Sequence, residues 1–174
     1  MEGALTVKKK VFMIAAALLA AAVLFCLWYT RPRSWTELAG IDEVDAISGS
    51  LKEFRLSENG ETAPPLDHWK LDEIEDGAEA SDLIQNALKE SSYRADLGNL
   101  RNDTPFPRTI LHGKGSDVIH LVLHHQTGTV TLDVDSGGQM SIYTSNGIAA
   151  YQADDALYGA LANIVHMYGA LQEN

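Results

Sequence analysis

A single cysteine, Cys26, stands among the 174 residues, inside an apolar run near the N-terminus. The chain beyond it therefore has no means of forming a disulfide, binding zinc through thiolate or supplying a cysteine nucleophile. Basic charge is scarce as well. Residues 34–174 hold 8 Lys/Arg against 23 Asp/Glu, a formal charge of −15. Such a field repels phosphate backbones and anionic lipid surfaces, which argues against nucleic acid as a partner. Signatures of common chemistry are missing too: no G-x-S-x-G, no H-E-x-x-H and no G-x-G-x-x-G after a strand. "HGKGSD" at His112–Asp117 has too few residues for a phosphate loop and suits a tight turn. The acidic run from Asp72 to Asp82 fails as a calcium loop. Its third and twelfth positions, Ile74 and Leu83, carry no oxygen ligand. No internal repeat is visible.

What is present is a composition of 45% apolar and 21% charged residues, ordinary for a globular chain. The most distinctive segment is "VFMIAAALLAAAVLFCLWY", Val11–Tyr29, with no charge, glycine or proline. At about 1.5 Å per residue it reaches about 28 Å, close to the hydrocarbon thickness of a bilayer. Trp28 and Tyr29 close it with interfacial aromatic rings. A cleaved signal peptide fits less well, because the small residues Ala20–Ala22 lie within the apolar run. A lipoprotein signal fits poorly because Phe25 precedes Cys26. The expectation is an uncleaved anchor over 11–29 with a basic cytoplasmic tail over 1–10. Lys8–Lys10 and the terminal amine outweigh Arg31 and Arg33, which places residues 34–174 outside the cytoplasm.

Those residues read as one α+β domain, an antiparallel meander with helices packed on one face. "SWTELAG", Ser34–Gly40, predicts a short helix with Ser34 and Glu37 forming a capping box. Val44–Leu56 predicts a strand bulged near Gly49, then an Asn59-Gly60 turn, the loop Ala63–Leu66 and a strand over His68–Ile74. Ser81 is expected to cap a helix through Leu83, Ile84, Ala87 and Leu88. Tyr93–Pro107 reads as a loop. From Arg108 onward the strands are "RTILH", "DVIHLVLHH", "TVTLDVD", "QMSIYT" and "IAAYQ", joined by glycine-rich turns. Asp154 or Asp155 caps a final helix whose stripe is Leu157, Leu161, Ile164, Tyr168 and Leu171. His166 falls off this stripe and reads as an exposed histidine.

The stretch "VIHLVLHHQTGTVTLDVD", Val118–Asp135, concentrates three histidines and two aspartates. A two-residue turn at Thr127-Gly128 puts Ile119, Leu121, Leu123, Val130, Leu132 and Val134 on one apolar face. The opposite face then carries His120, His124, Thr131, Asp133 and Asp135, joined by Ser141 and Tyr143 if Ser136–Gly138 forms a three-residue loop. In that register His120 faces Asp135, and His124 lies diagonal to Asp133. The β-carbons of His120 and His124 stand about 13 Å apart, too far to share an ion. The candidate polar site is therefore His120, Asp135, His124, Asp133 and Tyr143, with a cross-strand His120–Asp135 pair at its centre. No catalytic residues, metal ligands or cofactor are assigned.

The matching segments "WTEL" (Trp35–Leu38), "VDAISGSL" (Val44–Leu51), "SDLIQNAL" (Ser81–Leu88) and "NGIAAYQADDALYGALANIV" (Asn146–Val165) run in a suggestive order. The chain resembles small anchored or secreted domains of unknown function from Gram-positive bacteria. The resemblance spans most of residues 34–171 and describes a fold pattern, not a site. It departs from that pattern at "GETAPPLDHW" and "RADLGNLRNDTPFP". The expected function is a non-enzymatic, membrane-anchored interaction or sensor domain with a protein or cell-envelope partner. The rival is a divalent-metal-binding ectodomain that uses His120, Asp135 and nearby acids.

Overall fold

The computed structural model describes residues 2–41, 43–54, 67–96, 116–145 and 147–172. The chain divides into two compact units, residues 1–31 and 32–174.

The first unit is one helix, α1 (Glu2–Tyr29). It starts before the apolar run, at Glu2. Within it, Lys9–Tyr29 forms a 21-residue span of mean hydropathy 2.7, long and apolar enough to cross a membrane. Thr30 Oγ1 donates to the Cys26 carbonyl at 2.8 Å and closes the last turn. Phe25 stacks on Tyr29 with ring centroids 5.9 Å apart.

The second unit is α+β, as expected. Its elements are β1 (Pro32–Arg33), α2 (Trp35–Ala39), β2 (Ala46–Glu53), β3 (Asp67–Glu75), α3 (Glu79–Glu90), β4 (Tyr93–Ala95), β5 (Val118–His125), β6 (Gly128–Asp135), β7 (Gln139–Thr144), β8 (Gly147–Ala153), α4 (Asp155–Tyr168) and β9 (Ala170–Gln172). All pairings in the nine-stranded sheet are antiparallel, in the order β1-β4-β8-β7-β6-β5-β2-β3-β9. The β5–β8 meander lies inside it. The early β2–β3 hairpin docks on β5, and three short strands form or extend the edges.

Alternation decides which side is buried. Ile47, Leu51, Leu71, Ile119, Leu121, Leu123, Leu132, Val134 and Ile142 line one face and belong to the core. Leu157, Leu161, Ile164 and Val165 of α4, with Ile84 and Leu88 of α3, join the same core. Burying a side chain of this size stabilises by roughly 1.5–3 kcal/mol before conformational entropy is charged against it. The capping box on α2 forms as the sequence predicts, with Ser34 and Glu37 exchanging bonds. Trp35 is thereby set against Tyr93, ring centroids 6.1 Å apart.

Several expectations are corrected. Helix α3 begins at Glu79 with Ala78 at its N-cap, so Ser81 lies inside the first turn, buried and bonded to Gln85 at 3.3 Å. The acidic Glu79 and Asp82 suit the positive end of the helix without a side-chain cap. Tyr93–Ala95 is a strand, not loop, because its backbone pairs with both β1 and β8. The buried Tyr93 hydroxyl also donates to the Leu88 carbonyl at 2.7 Å. Asp154 supplies the cap of α4, accepting from Leu157 N. That helix ends at Tyr168, so Leu171 belongs to β9 and not to the helical stripe. The irregularity near Gly49 is real, but the extra residue is on β3: Asp72 and Glu73 oppose Ser48 alone. The Asn59-Gly60 turn, the Ala63–Leu66 loop, "RTILH" and most of "HGKGSD" lie outside the described residues.

Candidate functional site

The polar face forms as the pleat requires, but the strand register differs from the sequence reading. Leu121 pairs with Leu132 and Leu123 with Val130, so His120 stands opposite Asp133 and not Asp135. The physical reason is the turn. Gln126 and Thr127 form it, and neither has a positive φ. The unusual torsion falls instead on Gly128, at φ +150°, as the first residue of β6. Moving the turn back one residue shifts the pairing by two. Every side chain keeps its face, and only the partners change.

The consequence is a tight pair, His120 Nδ1 to Asp133 Oδ1 at 2.6 Å. The histidine side chain is about half exposed at 47%, the aspartate 18%. His124 faces Thr129 at the far end of the strand, apart from this pair. Ser136–Gly138 does make a three-residue loop, which sets Tyr143 opposite Thr131 and Ser141 opposite Asp133. Burial pushes the Tyr143 phenol up, and the charge of Asp133 and a hydrogen bond to it add to the rise. Among the described residues the buried Ser141 Oγ has no hydrogen-bond partner.

Asp135 does something else. It is 3% exposed, and its Oδ1 accepts from Gly137 N and Gln139 N, both at 2.9 Å. It ties the β6–β7 loop to the strand end, a structural role for a carboxylate that the sequence reading gave to the histidine pair.

His120, Asp133 and Ser141 lie in one row across three neighbouring strands. In a Ser–His–Asp relay the histidine stands between the other two, bonded to each through a different nitrogen. Ser50 of β2 stands opposite His120 on its other side, so the row reads Ser50, His120, Asp133, Ser141, with the histidine between a serine and the aspartate. Among the described residues, however, no hydrogen bond joins Ser50 to His120, and the relay is not closed. Among the described residues no three His, Cys, Asp or Glu side chains converge as metal ligands. The proposed metal set of His120, Asp135 and nearby acids is therefore not assembled.

The structure brings together a second pair that the sequence reading passed over. His166 Nε2 lies 3.3 Å from Glu53 Oε1, and the Trp69 indole donates to Glu53 Oε2 at 3.2 Å. The imidazole meets Trp69 edge to face, centroids 4.9 Å apart. Tyr158, one helical face away, has its phenol raised by burial, then by the charges of Asp117, Glu53 and Asp135. Asp117 is itself engaged, accepting from Phe54 N at 2.7 Å. No local pattern links Glu53, Trp69 and His166. Glu53 and Trp69 become diagonal neighbours only through the pairings Leu51–Trp69 and Glu53–Asp67, and His166 arrives when α4 crosses the sheet.

Comparison with protein-family models, curated proteins and solved structures finds no match to this chain.

Proposed function

We propose that the chain is a single-pass, membrane-anchored protein whose acidic domain acts outside the cytoplasm as a non-enzymatic interaction or sensor module. The observation that carries this reading is α1. Its span Lys9–Tyr29 is apolar throughout after Lys9 and Lys10 and is unburied, which is costly in water and favourable in lipid. The Lys/Arg bias across the span supports the orientation. The described polar side chains support the rest. His120–Asp133 and Glu53–His166 are each occupied in cross-element pairing. Among the described residues no third metal ligand joins either, and Ser50, opposite His120, makes no hydrogen bond to it. The resemblance to small anchored domains of Gram-positive bacteria points the same way, toward a cell-envelope or protein partner.

The test is fractionation together with periplasmic or surface reporter fusions after residue 174. Carbonate-resistant membrane association with an active external reporter is the expected result. A soluble mature form, or a reporter active only in the cytoplasm, overturns it. Cross-linking in intact membranes then captures the partner. Titration with zinc and calcium to millimolar concentration, producing no heat, separates this reading from a metal-binding ectodomain.

A further inference from the structure

The two edges of the sheet are not alike. Strand β9 pairs only with His68–Lys70 of β3. Leu71–Glu75, the rest of β3, has β2 on one side and no strand on the other among the described residues. An unpaired strand edge offers a row of backbone donors and acceptors to an incoming chain.

Two further features converge there. Residues 67–82 carry seven acids and one lysine, so much of the domain's charge of −15 is concentrated beside this edge. Asp72, Glu73 and Glu75 on the strand are exposed, as are Asp76 and Glu79 just beyond it. The second feature is apolar. Among the described residues outside α1, three of the four exposed large apolar side chains are Met167, Tyr168 and Leu171. They mark the end of α4 and β9, where Gly169 packs against the Lys70 carbonyl. Tyr168 is also within reach of Glu79. Open backbone, acids and an apolar patch thus adjoin one another.

We propose that the outer edge of β3, Leu71–Glu75, binds an extended segment of a partner protein in which lysine or arginine alternates with apolar residues. The segment adds a tenth strand. Its cations meet Glu73 and Glu75 and compete for the exposed Asp72 with Lys70, 2.7 Å from it, and its apolar side chains reach Met167 and Tyr168. A second copy of the same edge is a poor occupant, because like charges would face each other across the new ladder. The inference rests on the reading of the domain as an interaction module and names the partner chemistry.

The test uses the full chain in zwitterionic detergent with a capped seven-residue peptide alternating lysine and valine. The control peptide has glutamate in place of lysine. Binding of the lysine peptide alone is expected, weakening as salt rises. Amide exchange at Leu71–Glu75 should slow in the complex. The triple variant Asp72→Asn, Glu73→Gln, Glu75→Gln changes only exposed side chains and should bind about tenfold more weakly. Unchanged affinity in that variant, equal binding of the glutamate peptide, or protection elsewhere overturns the proposal. A partner cross-linked equally by wild type and the triple variant keeps the interaction reading and discards this edge.

Discussion

The two histidine–carboxylate pairs differ in what they join. His120–Asp133 bridges two adjacent strands that are already held by eight paired positions, on the face away from the core helices. His166–Glu53 joins α4 to the end of β2, with Trp69 of β3 as a third party. Each has a tyrosine beside it whose phenol is raised by burial and a carboxylate, Tyr143 in one and Tyr158 in the other. The first pair decorates a ladder that exists without it. The second fastens one layer to another. A side-chain pair matters in proportion to how little else holds its two elements together.

The strongest way to break that contrast is to disturb the strand both depend on. Gly49 lies in β2 against β5, and a β-carbon there would come within 2.4 Å of the His120 carbonyl and 2.6 Å of Leu121 Cδ2. Backbone cannot yield cheaply, so Gly49→Ala should cost at least about 2–3 kcal/mol and lower the thermal midpoint markedly. A wild-type melt would show that β2 and β5 can separate without loss.

Next comes the exchange of roles between two aspartates. Asp135→Ala leaves two loop amides without their acceptor and should cost about 1–3 kcal/mol. Asp133→Ala removes a partly exposed pair and should cost less than about 1 kcal/mol. Equal losses in chemical unfolding would mean that His120–Asp133 holds more than its ladder.

Glu53→Ala sharpens the comparison from the other side. It removes the acceptor of Trp69 and His166 together, at about 1 kcal/mol after allowance for partial exposure. Trp69 fluorescence should shift before global unfolding, because the end of α4 loosens first. A shift only at the global transition would place the pair among decorations.

The smallest effect is at high pH. The Tyr158 phenol is held above its usual value near 10, so the folded domain keeps it neutral where the unfolded chain ionises it. That stability is complete below pH 10 and is lost as pH rises beyond it. Tyr158→Phe should flatten this alkaline limb while leaving neutral stability nearly unchanged. An identical limb in the variant would assign it to other tyrosines.

Much of this architecture was legible in the chain. The capping box at Ser34–Glu37, the alternation in β5 and β6 and the Leu157, Leu161 and Ile164 part of the α4 stripe are local patterns that formed where the periodicity put them, whereas Tyr168 is exposed and Leu171 lies in β9. The polar face was legible for the same reason, since a side chain's face depends only on parity along the strand. The partner of His120 was not. It depends on whether the glycine lies within the turn or begins the next strand, a matter of one residue. The short strands β1, β4 and β9 were missed because two or three residues carry no period. Ser81 was misplaced because a helix start rich in acids does not need a side-chain cap.

By itself, then, the sequence determined an apolar span near the N-terminus, an acidic α+β domain without usable cysteine, and the inward set of leucines, isoleucines and valines. Composition and period are properties of neighbours along the chain. Tertiary structure alone decided that Asp135 serves a loop while Asp133 serves His120. It also decided that β2 pairs with β5, that Glu53, Trp69 and His166 meet, and that no strand among the described residues covers the acidic edge of β3 at Leu71–Glu75. Apart from the local Asp135 loop, these depend on residues separated along the sequence, brought together when burial of the shared core outweighs the entropy of closing the loops between them.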